Sequence, residues 1–510
     1  MYLWPPRNLS PGYATFLCAL CFHCREANHG SPGHTLHTKL QHSESAMKKF
    51  FALAFVLGLG MMGIGCGAKS SQSSNSQGAV FMTGEDAPLS SVVGFAVTLN
   101  SVTLNEQGGG TATVISTPTT VDFARLLGLR SPLAFNSVAP GTYTSATFVL
   151  ANPVIDYVTL SPPQVSTLTG VFPGSQNPYS VTVNFPTAMV VGANGLAGLK
   201  MDMDIRDSLA TDGSGNLVIS NNTIAVNPVI FIKATKASDP DGQVTDLMGG
   251  LVSVNASGNS FVLQGPYGRQ LTVDVNNSTQ YNSGWSINNM ATPEIVGVQG
   301  KFQADGSLLA ANVEVITTSQ SFISGRVLQV TNNTNGVAQQ IVMWVGETGA
   351  DMVSDVDTIQ TVDISAVNTY DVCFMNGPLT NAVFNNTSVV VGQRVFVGGS
   401  YSGGVFTPEM ISLRLQGVYG AFVPGSVVVG NVNQGSFQMS NNGLVGYSVG
   451  GPVTVNTYNL TYFFDLSGLN QLQNTSTAIP LVTRGLLLKD PTSGVPEVYA
   501  GFVADPPAVN

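Results

Sequence analysis

From Val93 onward the chain is written with a period of two. Runs such as Val93-Gly94-Phe95-Ala96-Val97-Thr98-Leu99, Thr111 to Ile115 and Thr142-Tyr143-Thr144-Ser145-Ala146-Thr147-Phe148-Val149-Leu150 are rich in apolar, aromatic and β-branched residues. Side chains that alternate in this way fall on opposite faces of a strand. A helical spacing is confined to Val121-Asp122-Phe123-Ala124-Arg125-Leu126-Leu127, where a short turn is expected. Hydrophobic residues make up 43% of the 510 positions and charged residues only 9%. The polar remainder is mostly uncharged Asn, Ser, Thr, Gln and Gly, a balance that favours strands and turns. The expected class is therefore all-β.

Charge excludes one large group of partners. The chain carries 19 basic and 29 acidic residues, a net charge of -10, with no long basic run. Nucleic-acid binding by counterion release needs a basic surface, so no nucleic-acid partner is expected.

The N-terminal region has a different grammar. All five histidines and Cys18, Cys21 and Cys24 lie before Met47, and residues 1–46 read as an untranslated or non-native leader. Lys48 and Lys49 then precede an apolar run, Phe50 to Gly65, that ends at Cys66. At 16 residues the run is short of the ~20 needed to span a bilayer, which suits a secretory signal over 47–65. A cysteine directly after such a run is the site of lipidation in bacterial lipoproteins. Gly63 departs from the leucine common three residues before that cysteine, whereas Gly65 fits. Two or three acyl chains on Cys66, at about 0.8 kcal/mol per buried methylene, would hold the protein to a membrane. Residues 66–78 read as the lipidated cysteine and a flexible Ser/Gln/Asn tether. Gly67, in place of aspartate, favours an outer-membrane lipoprotein facing the periplasm or the cell surface.

From Cys66 onward there are 14 basic and 27 acidic residues and no histidine. Ser-His-Asp and Cys-His catalytic sets and histidine-bearing zinc sites are thereby excluded from that part. Cys373 is the one cysteine past Cys66, so no disulfide framework is expected, and its apolar neighbours suit a buried hydrophobe.

Further strands are expected over Tyr179 to Phe185, Leu199 to Arg206, Leu217 to Ile219 and Val229 to Lys233, giving a β-sandwich over 79–237. Thr83-Gly84-Glu85-Asp86-Ala87-Pro88, Val121-Asp122-Phe123 with Leu126, and Ala139-Pro140-Gly141-Thr142-Tyr143 resemble an uncharacterised bacterial lipoprotein domain family with a D-A-P opening and a G-T-Y hairpin. The resemblance implies an extracytoplasmic immunoglobulin- or transthyretin-like sandwich and no known activity. The remainder reads as a divergent repeat with units at 249–317, 324–416 and 417–506, the second carrying an insertion. These units resemble an uncharacterised family of small exported β-barrel domains found in tandem, which implies OB- or SH3-like barrels.

Acidic residues carry the candidate chemistry. Asp239, Asp241 and Asp246 surround Gly242 as in the first half of a calcium loop, and Asp351, Asp355 and Asp357, with Asp363, form a second cluster. Calcium is thus the one cofactor the residues suggest, against the alternative of linker turns and solvated loops. Asp202, Asp204 and Arg206 alternate with Met201, Met203 and Ile205, which puts two carboxylates on one strand face, as a glycoside hydrolase requires. The competing reading is a solvated sandwich face without an aromatic-lined sugar cleft. Glu85 and Asp86 read as a turn leading into a strand. The function expected is non-catalytic: a lipid-anchored binding, adhesion or structural protein with a glycan or envelope-protein partner. The alternatives are a carbohydrate hydrolase using Asp and Glu, or a calcium-stiffened adhesin.

Overall fold

The computed structural model describes residues 76–504 apart from 88, 127–128, 213–214, 266–269, 374–382, 432, 442–443, 447–450 and 491–492. The leader, the signal segment, Cys66 and the tether up to Asn75 lie outside the described residues. All described residues fall in one compact unit of the chain, and they are built from strands in several sheets, the all-β, multi-sheet architecture expected.

The first part contains β1 (Gly78–Ala87), β2 (Val92–Glu106), β3 (Thr111–Ile115), β4 (Thr119–Asp122), β5 (Ser131–Val138) and β6 (Gly141–Leu160). It continues with β7 (Pro163–Val171), β8 (Tyr179–Val191), β9 (Leu196–Asp204), β10 (Ile219–Ser220), β11 (Thr223–Ala225) and β12 (Ile230–Thr235). One sheet has the order β12-β9-β1-β5; the other runs β10-β11-β7-β6-β2-β3, with β4 also on β2 and β8 also on β6. Alternate residues of the two sheets share one core, in which Met82, Phe95, Phe123, Phe148 and Met201 are wholly buried. Each such side chain contributes roughly 1.5–3 kcal/mol by leaving water. The helical spacing at Val121–Leu127 becomes a single 3-10 turn, Phe123–Leu126, with Phe123, Ala124 and Leu126 facing inward. Tyr143 of the G-T-Y hairpin is buried and its hydroxyl donates to the Ala139 carbonyl at 2.7 Å, which pins the Pro140-Gly141 turn.

Two local expectations are corrected. Glu85 and Asp86 are not a turn but the buried end of β1. Strand β9 stops at Asp204, because the Asp204 carboxylate accepts the backbone N–H of Asp207 at 2.9 Å and caps a one-turn helix over Ile205–Ser208.

Three further six-stranded sheets follow among the described residues. The first holds β13 (Gln243–Asn255), β14 (Ser260–Gln264), β15 (Gln270–Asp274), β16 (Gln280–Tyr281), β17 (Ile295–Phe302) and β18 (Leu308–Thr317). The second holds β19 (Ser321–Asn332), β20 (Ala338–Thr348), β21 (Ile359–Asp363), β22 (Thr369–Val372), β23 (Arg394–Ser402) and β24 (Val405–Leu413). The last holds β25 (Gln416–Phe422), β26 (Val428–Asn431), β27 (Gln434–Asn441), β28 (Pro452–Phe464), β29 (Pro480–Lys489) and β30 (Pro496–Ala504). In the first, β15 pairs with β18 and closes the ring β13-β17-β18-β15-β14. In the last, β25-β29-β30-β28-β27 closes in the same order through the β25–β27 pair. The second repeats the order of the first without a pairing between β21 and β24 among the described residues.

A shared device bends these sheets. The equivalent strands β17, β23 and β29 each slip register beside a glycine, at Gln299/Gly300, Gly398/Gly399 and Arg484/Gly485. At Gly300 and Gly485 a Cβ would overlap the carbonyl oxygens of Leu309 and Tyr499 on the facing strand. The missing side chain lets the backbones approach closely enough to turn the corner.

The sheets interlock. Phe81 of β1 stacks on Phe302 of β17 at 5.2 Å, within the core of the first ring. Arg414, wholly buried just past β24, reaches back to Asp246 of β13 and to Glu314 of β18, the latter at 2.9 Å. Arg394 of β23 adds a 2.5 Å bond to Asp246.

Candidate binding cleft

The sheet β12-β9-β1-β5 has a second face, opposite the sandwich core. In the parallel β1–β9 pair Glu85 lies opposite Asp202; in the antiparallel β9–β12 pair Asp202 lies opposite Phe231 and Lys200 opposite Lys233. Period-two geometry therefore puts these five side chains together, while Leu199, Met201, Met203, Ile230 and Ile232 fill the core on the other side. The charged face is only partly solvated: Glu85 is buried, whereas Asp202 is half-buried and Lys233 keeps 42% of its side chain exposed. The last sheet covers it.

An ionic chain crosses that junction. Arg484 of β29 pairs with Glu85, Lys200 Nζ lies 2.9 Å from the other Glu85 oxygen, and Asp241 accepts from Lys233 at 3.0 Å and Arg130 at 3.3 Å. Beside it Tyr462, Phe464 and Phe502 form an aromatic cluster with ring centroids 6.0–6.4 Å apart. Lys233 Nζ sits 4.2 Å over the Phe464 ring and the Arg484 guanidinium 4.4 Å over Phe502. Such contacts contribute about 0.5–2 kcal/mol each, more as water is excluded. Between these groups remains a cavity of about 310 Å³, walled by Glu85, Lys200, Asp202, Phe231 and Ala234 from the sandwich and by Phe464, Arg484 and Phe502 from the last sheet.

The carboxyls of the cleft are driven apart. Burial pushes Glu85 up, but the charges of Arg484, Lys200 and Arg130 outweigh it and hold the group well below the usual carboxylate range. Asp241 is lowered as well, since Lys200, Arg130 and Lys233 overcome its burial. Asp202 is pushed up to about 7, first by burial and then by the neighbouring Glu85 charge, against the pull of Lys200. One Asp202 oxygen and the Arg484 Nε are buried without a hydrogen-bond partner. Burial and the nearby Arg484 bring Arg130 down to about 9.

The acidic clusters read as calcium candidates meet a different fate. Asp239 accepts the Lys236 N–H at 3.1 Å in a turn, while Asp241 and Asp246 face lysine and arginine. Asp351 accepts from the Ser321 hydroxyl at 2.5 Å, and Asp357 pairs with Arg125 at 2.7 Å. Burial raises the Asp355 carboxyl. Asp241, Asp246 and Asp357 thus have their charge met by lysine or arginine. Among the described residues Asp246, Glu314 and Cys373 bring ligand atoms within 4.8 Å of one another. That trio is an ion-pair cluster: Arg414 bonds both carboxylates, and Cys373 lies buried with its Sγ 3.9 Å from Asp246.

Asp202 and Asp204 do not act on one space. Asp204 is committed to its cap and to Arg206 at 3.4 Å, whereas Asp202 walls the cleft. Sequence reasoning missed Lys200, Phe231, Phe464, Arg484 and Phe502, and with them an aromatic-lined cleft. The legible signal was single charges set in apolar strands, as at Lys200 and Arg484, which in a chain with 9% charged residues mark buried pairs.

Residues 77–220, most of the sandwich, match a domain of unknown function, the DUF4382 family. Among curated proteins none matches the chain.

Proposed function

We propose that the protein is a lipid-anchored bacterial envelope protein with a non-catalytic binding role, and that its ligand enters the cleft between the sandwich and the last sheet. The observation that carries the reading is the cavity itself: about 310 Å³ left open between surfaces that otherwise pack through aromatic and ionic contacts. Small-molecule sites are of this kind, concave and mainly apolar with a few placed polar groups. Anchoring rests on Lys48, Lys49, the apolar run and Cys66. Intact-mass and N-terminal analysis of the protein from its host membrane tests that part; a diacylated or triacylated product beginning at Cys66 is expected, and a soluble product retaining Cys18 to Cys24 overturns it. For the cleft, Ala504→Phe, on the same strand face as Phe502, fills the cavity without changing its charge and should abolish ligand binding.

One observation favours a second reading. Glu85 and Asp202 are neighbouring carboxyls whose surroundings favour opposite protonation states, the pattern of an acid and base pair. A carbohydrate hydrolase would therefore use Glu85 with Asp202. Hydrolysis of a polysaccharide by the purified chain, lost in Asp202→Asn, supports that reading; inactivity across a broad panel removes it.

A further inference from the structure

We infer that the cleft takes a single uncharged pyranose unit, a residue of a neutral glycan; the inference rests on the binding role proposed above. Three properties of the walls lead to this class. Glu85, Asp202, Asp241 and Asp465 of the walls stand against Lys200, Lys233 and Arg484, with Arg130 paired to Asp241 from behind, so the charges already balance when all are ionised. A ligand with net charge would leave one of these groups uncompensated at a largely buried junction, which is costly.

The second property is the polar capacity left over. One Asp202 oxygen lacks a donor and Arg484 Nε lacks an acceptor, although Arg484 is only 6% exposed. Hydroxyl groups both donate and accept, so a sugar ring carries partners for either group.

The third is the position of Phe231. It lies directly opposite Asp202 on the same sheet face, and among the described residues no cation or second ring stacks on it. Phe464 and Phe502, in contrast, carry Lys233 and Arg484. A free phenyl face beside a carboxyl matches a pyranose, which presents an apolar C–H face bordered by hydroxyls. A zwitterionic peptide end is also neutral overall, but its carboxylate would have to compete with Glu85 for Arg484 and Lys200.

Calorimetric titration of the full chain with methyl glycosides of glucose, galactose, mannose and N-acetylglucosamine tests this, with methyl glucuronide and glycylglycine as charged and zwitterionic comparisons. At least one neutral glycoside should bind. Phe231→Ala should weaken it about tenfold, and Ala504→Phe should abolish it. Phe231→Leu, which keeps the apolar volume and loses the ring, should show the same weakening if the alanine variant does not fold. Binding of the glucuronide or the dipeptide in place of the neutral glycosides, lost in Ala504→Phe, overturns the pyranose and keeps the cleft as a binding site. Glycoside binding that survives Ala504→Phe overturns both, as does the absence of binding by every probe.

Discussion

Arg484 on the second-last strand donates to the carboxylate of Glu85 on the first, across 399 positions of chain. Both side chains are buried, and the same Glu85 carboxylate also meets Lys200. Removing one member of a buried pair strands the other without compensation. Arg484→Met should therefore destabilise the protein by about 3–5 kcal/mol, read from urea unfolding. The double variant Arg484→Met with Glu85→Leu should recover much of that loss, and simple additivity of the two changes would show that the pair does not couple.

The Asp246 cluster should behave in the same way at the other junction. Arg414→Leu leaves Asp246 with Arg394 as its cation and takes from Glu314 the guanidinium it bonds, at a cost of about 3–5 kcal/mol in unfolding experiments. A loss under 1 kcal/mol, about the value of an exposed pair, would contradict the burial described for Arg414.

Stability should have two acid limbs. Asp202 has a folded value of about 7, above its ordinary 3.8, so it takes up a proton on folding between those values and stability rises as pH falls through that window. Glu85, Asp241 and Asp246 are lowered by their cations, so their contribution is complete above about pH 4.5 and is lost as pH falls further. The two limbs meet at about pH 4.5, where maximum stability is expected. Asp202→Asn should gain on the parent chain by roughly 2–3 kcal/mol as pH rises from 5 to 8, since the window from 5 to 7 spans about two units at 1.36 kcal/mol each. A difference between the two that stays constant over that rise would remove Asp202 as the source of the neutral limb.

Gly485→Ala places a methyl group against the Tyr499 carbonyl and should cost about 1–3 kcal/mol. Gly300→Ala should do the same against Leu309, since the two glycines occupy equivalent bulges. Melting temperatures of the two variants check this directly, with Gly192→Ala, whose Cβ meets nothing within 4 Å and whose φ is not positive, as the control.

Millimolar calcium should leave the melting temperature unchanged, and so should a chelator, because Asp241, Asp246 and Asp357 are neutralised by lysine and arginine. A rise that the chelator reverses would point to a site the ion pairs do not occupy.

Local patterning made the strands legible. Thr111–Ile115 coincides with its alternating run, and the turn at Phe123–Leu126 with its helical spacing. At Asp204 the competing signal was a cap, Asp204 followed three residues later by Asp207, and the polar alternation through Arg206 masked it. The cleft was legible only in pieces. Period two correctly sets Lys200 and Asp202 on one face, but nothing near them in sequence says that Phe502 and Arg484 will cover it. That information resides in tertiary packing between strands hundreds of residues apart.

The outward charges of β1, β9 and β12 also bear on how such a chain can be made. Synthesis delivers the sandwich long before β29 and β30 exist, and early domains generally fold first. An apolar face in that position would stay sticky while the remaining strands emerged. Glu85, Lys200, Asp202 and Lys233 instead keep the nascent surface wet, and their desolvation is deferred until the final strands bring Arg484 and Phe502 to meet it.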